Sequence, residues 1–192
     1  MRSLFPSLAL AWLAASASFA AAPTPTPTPV PNTVDLRGLK GAYRGSAKVT
    51  VRGVAPYLGR AKIRFAPRGE NAAAVTINAW IESDAGRFSV STTLNFAQNG
   101  IASGRNLAPG VVTSAPFEGT YTATTTKISF HGVFEFGGSR GVYRGQIAKD
   151  ELGWLTVTWR ILPFLPKSDP HDADQVGPAA YTYIYKVRPP KK

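Results

Sequence analysis

From Gly41 to Val187 apolar and polar residues alternate with a period of two, and no helical period competes with them. Successive side chains of an extended strand point to opposite faces, so this pattern describes strands half-buried against a core. The opening stretch, Gly41 to Phe65, carries it most clearly. Tyr43, Ala47, Val49 and Val51 share a face with Gly41 and Gly45, while Lys40, Arg44, Ser46, Lys48, Thr50 and Arg52 lie opposite. After a turn at Gly53-Val54-Ala55-Pro56, Ala61, Ile63 and Phe65 face one way and Arg60, Lys62 and Arg64 the other.

The alternation continues through Val75, Ile77, Ala79 and Ile81, then Phe88, Val90, Leu94 and Phe96, with a weaker strand from Ile101 to Leu107. Phe117, Tyr121 and Ala123 form the next row, then Ile128, Phe130, Phe134 and Phe136. A Gly137-Gly138-Ser139 hairpin signal leads to Val142–Lys149, and Leu155, Val157, Trp159 and Ile161 precede a last strand over Tyr181–Val187. The spacing of turns gives about nine or ten strands and an all-β domain. Short connections pair consecutive strands as an antiparallel meander, and closing that meander into a barrel removes its edges. A closed or nearly closed barrel is therefore expected, in preference to a sandwich.

The N-terminal part of the 192-residue chain reads differently. Arg2, the apolar run from Leu4 to Ala15 and the small residues of Ser18-Phe19-Ala20 have the form of a secretory signal peptide over 1–20, too short for a membrane span. The Pro/Thr-rich stretch 21–33 lacks backbone donors at alternate positions and is expected to be an extended linker. The β domain is expected over 34–188, and 189–192 form a basic tail. Export, to a periplasmic or extracellular location, follows from the signal. No cysteine occurs, which excludes disulfides, thiolate metal sites and cysteine nucleophiles. No later segment is apolar enough for a transmembrane helix, and the charged strand faces disfavour an outer-membrane barrel.

Gly41-Ala42-Tyr43-Arg44-Gly45 returns as Gly141-Val142-Tyr143-Arg144-Gly145, the trace of a duplication or a chance likeness of two strand starts. Glycines two residues from an aromatic, on the same face, leave room for a ring to lie across them or for the strand to bend. Gly41-x-Tyr43 resembles the Gly-x-Trp motif with which lipocalins open their first barrel strand. The likeness covers these few residues, with tyrosine in the place of tryptophan, and implies a lipocalin-like architecture only.

Residues able to do chemistry are few. His131 shares a strand face with Ser129 and Glu135, too far along the strand for direct proton sharing, and reads as a solvent-facing histidine. His171, Asp172 and Asp174 lie in a long acidic loop and are the weak candidates for a divalent ion; a solvated loop explains them as well. There is no nucleophile elbow, paired-histidine zinc motif or phosphate loop, so no catalytic residues, metal or cofactor are assigned.

Charge is more informative. The chain carries 22 Lys and Arg against 11 Asp and Glu, a formal +11. From Leu36 to Gly69 there are nine basic residues and no acidic one. The strand period sorts Lys40, Arg44, Lys48, Arg52, Arg60, Lys62 and Arg64 onto one side of a hairpin. Such a face repels itself and gains from an anionic neighbour, or serves as a basic solubility surface. Nucleic acid is disfavoured as that neighbour, because the hairpin itself has no aromatics interleaved with the charges. Tyr43, Trp80, Tyr143 and Trp154 are candidate ligand-contacting aromatics. Two binding functions result. One is an exported, non-enzymatic barrel holding a small apolar or amphipathic ligand in its mouth; the alternative is a module that binds an anionic polymer or membrane surface through the basic face. A third, an enzyme using His171, its acidic neighbours and a metal, has the least support.

Overall fold

The computed structural model describes residues 33–69, 71–83, 86–107, 116–136, 139–166 and 174–190. The segments read as signal and linker (apart from Thr33), residues His171 and Asp172, and Lys191 and Lys192 lie outside them. Ten antiparallel strands form a single meander: β1 (Gly41–Val51), β2 (Tyr57–Pro67), β3 (Ala73–Ser83), β4 (Gly86–Phe96), β5 (Ile101–Leu107), β6 (Pro116–Thr124), β7 (Lys127–Phe136), β8 (Ser139–Lys149), β9 (Leu155–Pro163) and β10 (Tyr181–Arg188). Each strand pairs with its neighbours in sequence, and β1 pairs with β10 from Arg44↔Arg188 to Val51↔Tyr181, which closes the barrel. The turn expected at Gly53-Val54-Ala55-Pro56 lies between β1 and β2, while Gly137 and Gly138 of the expected Gly137-Gly138-Ser139 hairpin lie outside the described residues. Gly153, between β8 and β9, takes a φ of +79°, a left-handed value open to glycine at no steric cost.

Alternation fixes which residues fill the inside. Tyr43, Ile63, Phe65, Val75, Ile77, Val90, Phe130, Val157 and Trp159 are all buried, while Phe88 is half-buried and packs edge-on against Tyr57 at 6.2 Å. The inside of a barrel widens with strand number and must be either filled or left as a cavity. Here aromatic rings fill it. Tyr121, Phe96, Phe130, Phe117, Tyr143, Trp159 and Tyr183 form an unbroken chain of ring contacts, with centroids 4.8–6.0 Å apart. Tyr143, Trp159 and Tyr185 are each at most 1% exposed.

One end of the barrel is closed by a feature without a strand period: a single 3-10 turn, Arg37–Leu39. Leu36 and Leu39 are fully buried there, the Tyr43 hydroxyl donates to the Leu39 carbonyl at 2.8 Å, and Lys149 Nζ donates to the Gly38 carbonyl at 2.9 Å. The repeated Gly-x-Tyr-Arg-Gly segments open β1 and lie in β8, seven strands apart. That offset is not half of ten, so they do not mark two equivalent halves of the barrel.

Candidate functional site

The outer face of β1, β2 and β10 carries the densest charge. Register sets it out in two rows across the strands. One row runs Arg188, Arg44, Lys62 and Asn78 from β10 to β3; the next runs Thr156, Lys186, Ser46, Arg60 and Trp80 from β9 to β3. Residues directly opposite on neighbouring antiparallel strands have Cα atoms about 4.5–5.5 Å apart. Arg188, Arg44 and Lys62 therefore stand side by side, with Lys186 and Arg60 one row away. All five are exposed, and among the described residues none has an ion-pair partner.

These five cations surround a hollow of about 1100 Å³. Its form follows from side-chain size. Gly45, Gly59 and Ala61 present only backbone on this side, so with the short Ser46 side chain they make a shallow floor, and long basic side chains and two indoles rise around it. The Ser46 hydroxyl is turned into the sheet and donates to the Lys186 carbonyl at 3.4 Å. Trp80 stands on β3 beside Arg60 and is 38% exposed, with Lys62 Nζ 5.1 Å from its ring centre. Trp154, just before β9, lies against Lys186 Nζ at 5.5 Å and the Arg188 guanidinium at 5.4 Å. Cation–π attraction of this kind holds the charged ends along the indoles. Pro189 and Pro190 complete one wall, and Glu82, hydrogen-bonded by Arg87 at 3.0 Å, marks the margin on the β3–β4 side.

The seven basic residues singled out from the sequence, Lys40, Arg44, Lys48, Arg52, Arg60, Lys62 and Arg64, are all exposed. Arg44, Arg60 and Lys62 line the hollow; Lys40, Lys48, Arg52 and Arg64 do not. Lys186 and Arg188 had not been picked out. Their signal was the alternation of the last strand, where they are the outward partners of Tyr185 and Val187, but placing them needs the closure of β10 onto β1.

The four candidate aromatics separate into two pairs. Trp80 and Trp154 stand outside at the hollow, whereas Tyr43 and Tyr143 lie inside the barrel at 1% exposure. One premise needs correction: aromatics do accompany the charges, because register brings Trp80 beside Arg60 and Trp154 packs on Lys186 and Arg188. A hairpin read by itself lacks these neighbours.

Inside the barrel, the Tyr143 and Tyr185 hydroxyls and the Trp159 indole N–H are buried with no hydrogen-bond partner among the described residues. Burial pushes the Tyr143 phenol up to about 12 and that of Tyr185 higher still. The Trp159 N–H offsets the Tyr185 rise slightly, yet the two groups fall short of hydrogen-bond geometry. His131 is exposed, opposite Arg144, with Nε2 3.4 Å from Thr120 Oγ1. Of the acidic-loop candidates, His171 and Asp172 lie outside the described residues, and the Asp174 carboxylate is 4.0 Å from Arg140 Nη1. Among the described residues no group of three His, Cys, Asp or Glu is placed to hold a metal, and no helix is long and apolar enough to cross a membrane.

No protein-family model matches this chain, and no curated protein does. Among solved structures it is similar to the crystal structure of Rv2717c from M. tuberculosis, with a TM-score of 0.50 and 14% sequence identity over 81% of this chain and 95% of that one. At that identity the likeness shows a shared barrel fold alone.

Proposed function

We propose that this protein is an exported, non-enzymatic binding module that holds an anionic polymer or surface in the hollow between Trp80 and Trp154. The observation that carries the reading is the row Arg188, Arg44 and Lys62: three cations on adjacent strands, directly opposite one another, with no acidic partner among the described residues. Like charges at facing strand positions destabilise a sheet. An anionic occupant turns that cost into attraction, and the long-range field speeds its approach. The other reading, a small apolar ligand within the barrel, finds less support, since buried aromatic side chains in contact with one another occupy the inside.

Retention of the purified protein on immobilised heparin, measured against salt, tests the reading. Charge-held binding weakens steeply, because the screening length falls from about 10 Å at 0.1 M to about 3 Å at 1 M salt. A variant with Arg44, Lys62 and Arg188 changed to glutamine should elute at markedly lower salt. The control changes the same number of charges elsewhere: Arg144 and Arg160, another exposed facing pair on β8 and β9, with the exposed Lys127 of β7. Equal losses in both variants would reduce the effect to net charge and sink the proposal.

A further inference from the structure

The distribution of neutral polar groups around the cations narrows the class of ligand. This step rests on the anion-binding reading above. Beyond Lys62 and Trp80 the outer rows continue into Asn78, Ser89 and Ser91 on β3 and β4, where the Ser91 hydroxyl donates to Asn78 Oδ1 at 3.1 Å. Beyond Lys186 the row continues into Thr156 on β9 and Ala148 on β8, with Thr158 and Gln146 in the neighbouring row that passes through Ile184. Within the two rows through the hollow, positive charge stays on the middle three strands and the positions next beyond them are neutral. Arg87, paired with Glu82, and the facing pair Arg144 and Arg160 lie in other rows. At each junction between charge and neutral flank stands an indole, Trp154 on one side and Trp80 on the other. Four strand spacings of about 4.8 Å separate β9 from β3, so the indoles mark out about 19 Å along the sheet.

We infer that the hollow binds a linear acidic polysaccharide lying across the strands. Each part of the site meets a different part of such a chain. Sugar hydroxyls find donors and acceptors on the neutral flanks, the apolar C–H faces of the rings rest on the indoles, and carboxylate or sulfate groups reach Arg44, Arg60, Lys62, Lys186 and Arg188. Arginine offers paired donors to either anion. A nucleic acid, charged at every residue, would use a basic track along its whole path, whereas the cations in the rows through the hollow stop at the tryptophans. A membrane surface is flat and engages projecting groups; here cations and indoles line a concavity. Carboxylate and sulfate share the recognising chemistry, so the experiment carries one probe of each.

The test measures binding of the purified protein to polygalacturonate, dextran sulfate, single-stranded oligothymidylate, inorganic polyphosphate and anionic phosphatidylglycerol vesicles at one ionic strength. Trp80→Ala and Trp154→Ala are compared with the unaltered protein. Both indoles are outside the barrel, so the fold is kept, and the fluorescence of sealed Trp159 reports that it is. Each substitution should weaken binding of at least one acidic polysaccharide by about tenfold, the loss of one ring contact. Polyphosphate has no ring to stack, and its affinity should be unchanged. Trp80→Phe and Trp154→Phe should restore much of the loss. Indifference of polysaccharide binding to both alanine substitutions, while charge substitutions abolish it, would overturn the inference and leave the anion-binding reading in place. Tighter, tryptophan-dependent binding of oligothymidylate or vesicles would overturn it in favour of those partners. Absence of binding to every polyanion would refute the anion-binding reading itself.

Discussion

Gly45 and Gly145 hold the same place in the two Gly-x-Tyr-Arg-Gly segments, yet a side chain is excluded from them by different neighbours. A Cβ on Gly145 would fall within the Phe130 ring, 2.6 Å from both Cε atoms. Phe130 is 2% exposed and wedged between Phe96 and Phe117, with ring centres 5.6 and 6.0 Å away, so it can yield little. Overpacking of this kind costs about 1–3 kcal/mol, and the stiffer unfolded chain returns about 0.4–1 kcal/mol of it. Gly145→Ala should therefore destabilise by about 1–2 kcal/mol in urea unfolding at unchanged m. Phe130→Leu should also destabilise, by less than the roughly 3–5 kcal/mol of full truncation. Together the two should cost at least about 1 kcal/mol less than their sum, because the smaller side chain vacates the space the new methyl needs. At Gly45 the obstacle is backbone: a Cβ would overlap the Lys186 carbonyl oxygen and stand 2.8 Å from Val187 Cα, at the β1–β10 closure. Gly45→Ala should cost more, above about 3 kcal/mol, with no side chain to trim in compensation. Additivity of Gly145→Ala and Phe130→Leu within about 0.5 kcal/mol would refute the idea that the ring is what holds that position to glycine.

Two further outcomes are expected. Tyr185→Phe should be neutral or stabilising by up to about 1–3 kcal/mol, since it deletes a buried hydroxyl without a partner; Tyr121→Phe should cost about 1 kcal/mol, because that hydroxyl donates to the Ala97 and Asn71 carbonyls at 2.8 and 3.0 Å. Thermal unfolding of both variants decides between these signs, and equal losses would show that the Tyr185 hydroxyl is satisfied in solution. The second outcome concerns alkaline pH. Burial raises the phenol of Tyr143 from 10.0 to about 12 and raises Tyr43 and Tyr185 as well. Below pH 10 both folded and unfolded chains keep these protons and stability is full; above it the unfolded chain releases protons the folded one retains. Stability should fall through this range, Tyr143 accounting for about 2–3 kcal/mol by pH 12, and Tyr143→Phe should flatten the fall. A pH-independent unfolding midpoint between 9 and 12 would contradict the burial of these phenols.

Much of the barrel was legible because its physics is local. A period of two needs only neighbouring residues, and it sorted Ile63, Phe65, Trp159 and their like to the inside and the seven hairpin cations to the outside without reference to any distant part of the chain. The Arg37–Leu39 turn escaped because three residues are too few to show a period; only the burial of Leu36 and Leu39 against the barrel end gives it a reason to form. Filling was not legible either. Whether Tyr43 and Tyr143 line a cavity or plug it depends on how rings from opposite strands meet, and the stacking of Tyr143 on Phe117 and Trp159 is a product of closure.

The hollow shows the same division. Arg44, Arg60 and Lys62 come from one hairpin and could be grouped by alternation alone. Lys186 and Arg188 are more than a hundred positions away in sequence, and Trp80 and Trp154 belong to two other strand neighbourhoods. They join the hairpin because a ten-strand meander that closes must set its last strand against its first, and because register then places Arg188 opposite Arg44 and Trp80 opposite Arg60. Closure thereby does two things at once. It removes the free strand edges and encloses an inside that its own aromatic rings occupy. It also assembles on the outer surface five cations that no single segment holds, around a floor kept low by the short side chain of Ser46. A like-charged cluster of this kind adds nothing to the stability of the free sheet. Its arrangement between two indoles makes sense as a surface shaped for something that arrives carrying the opposite charge.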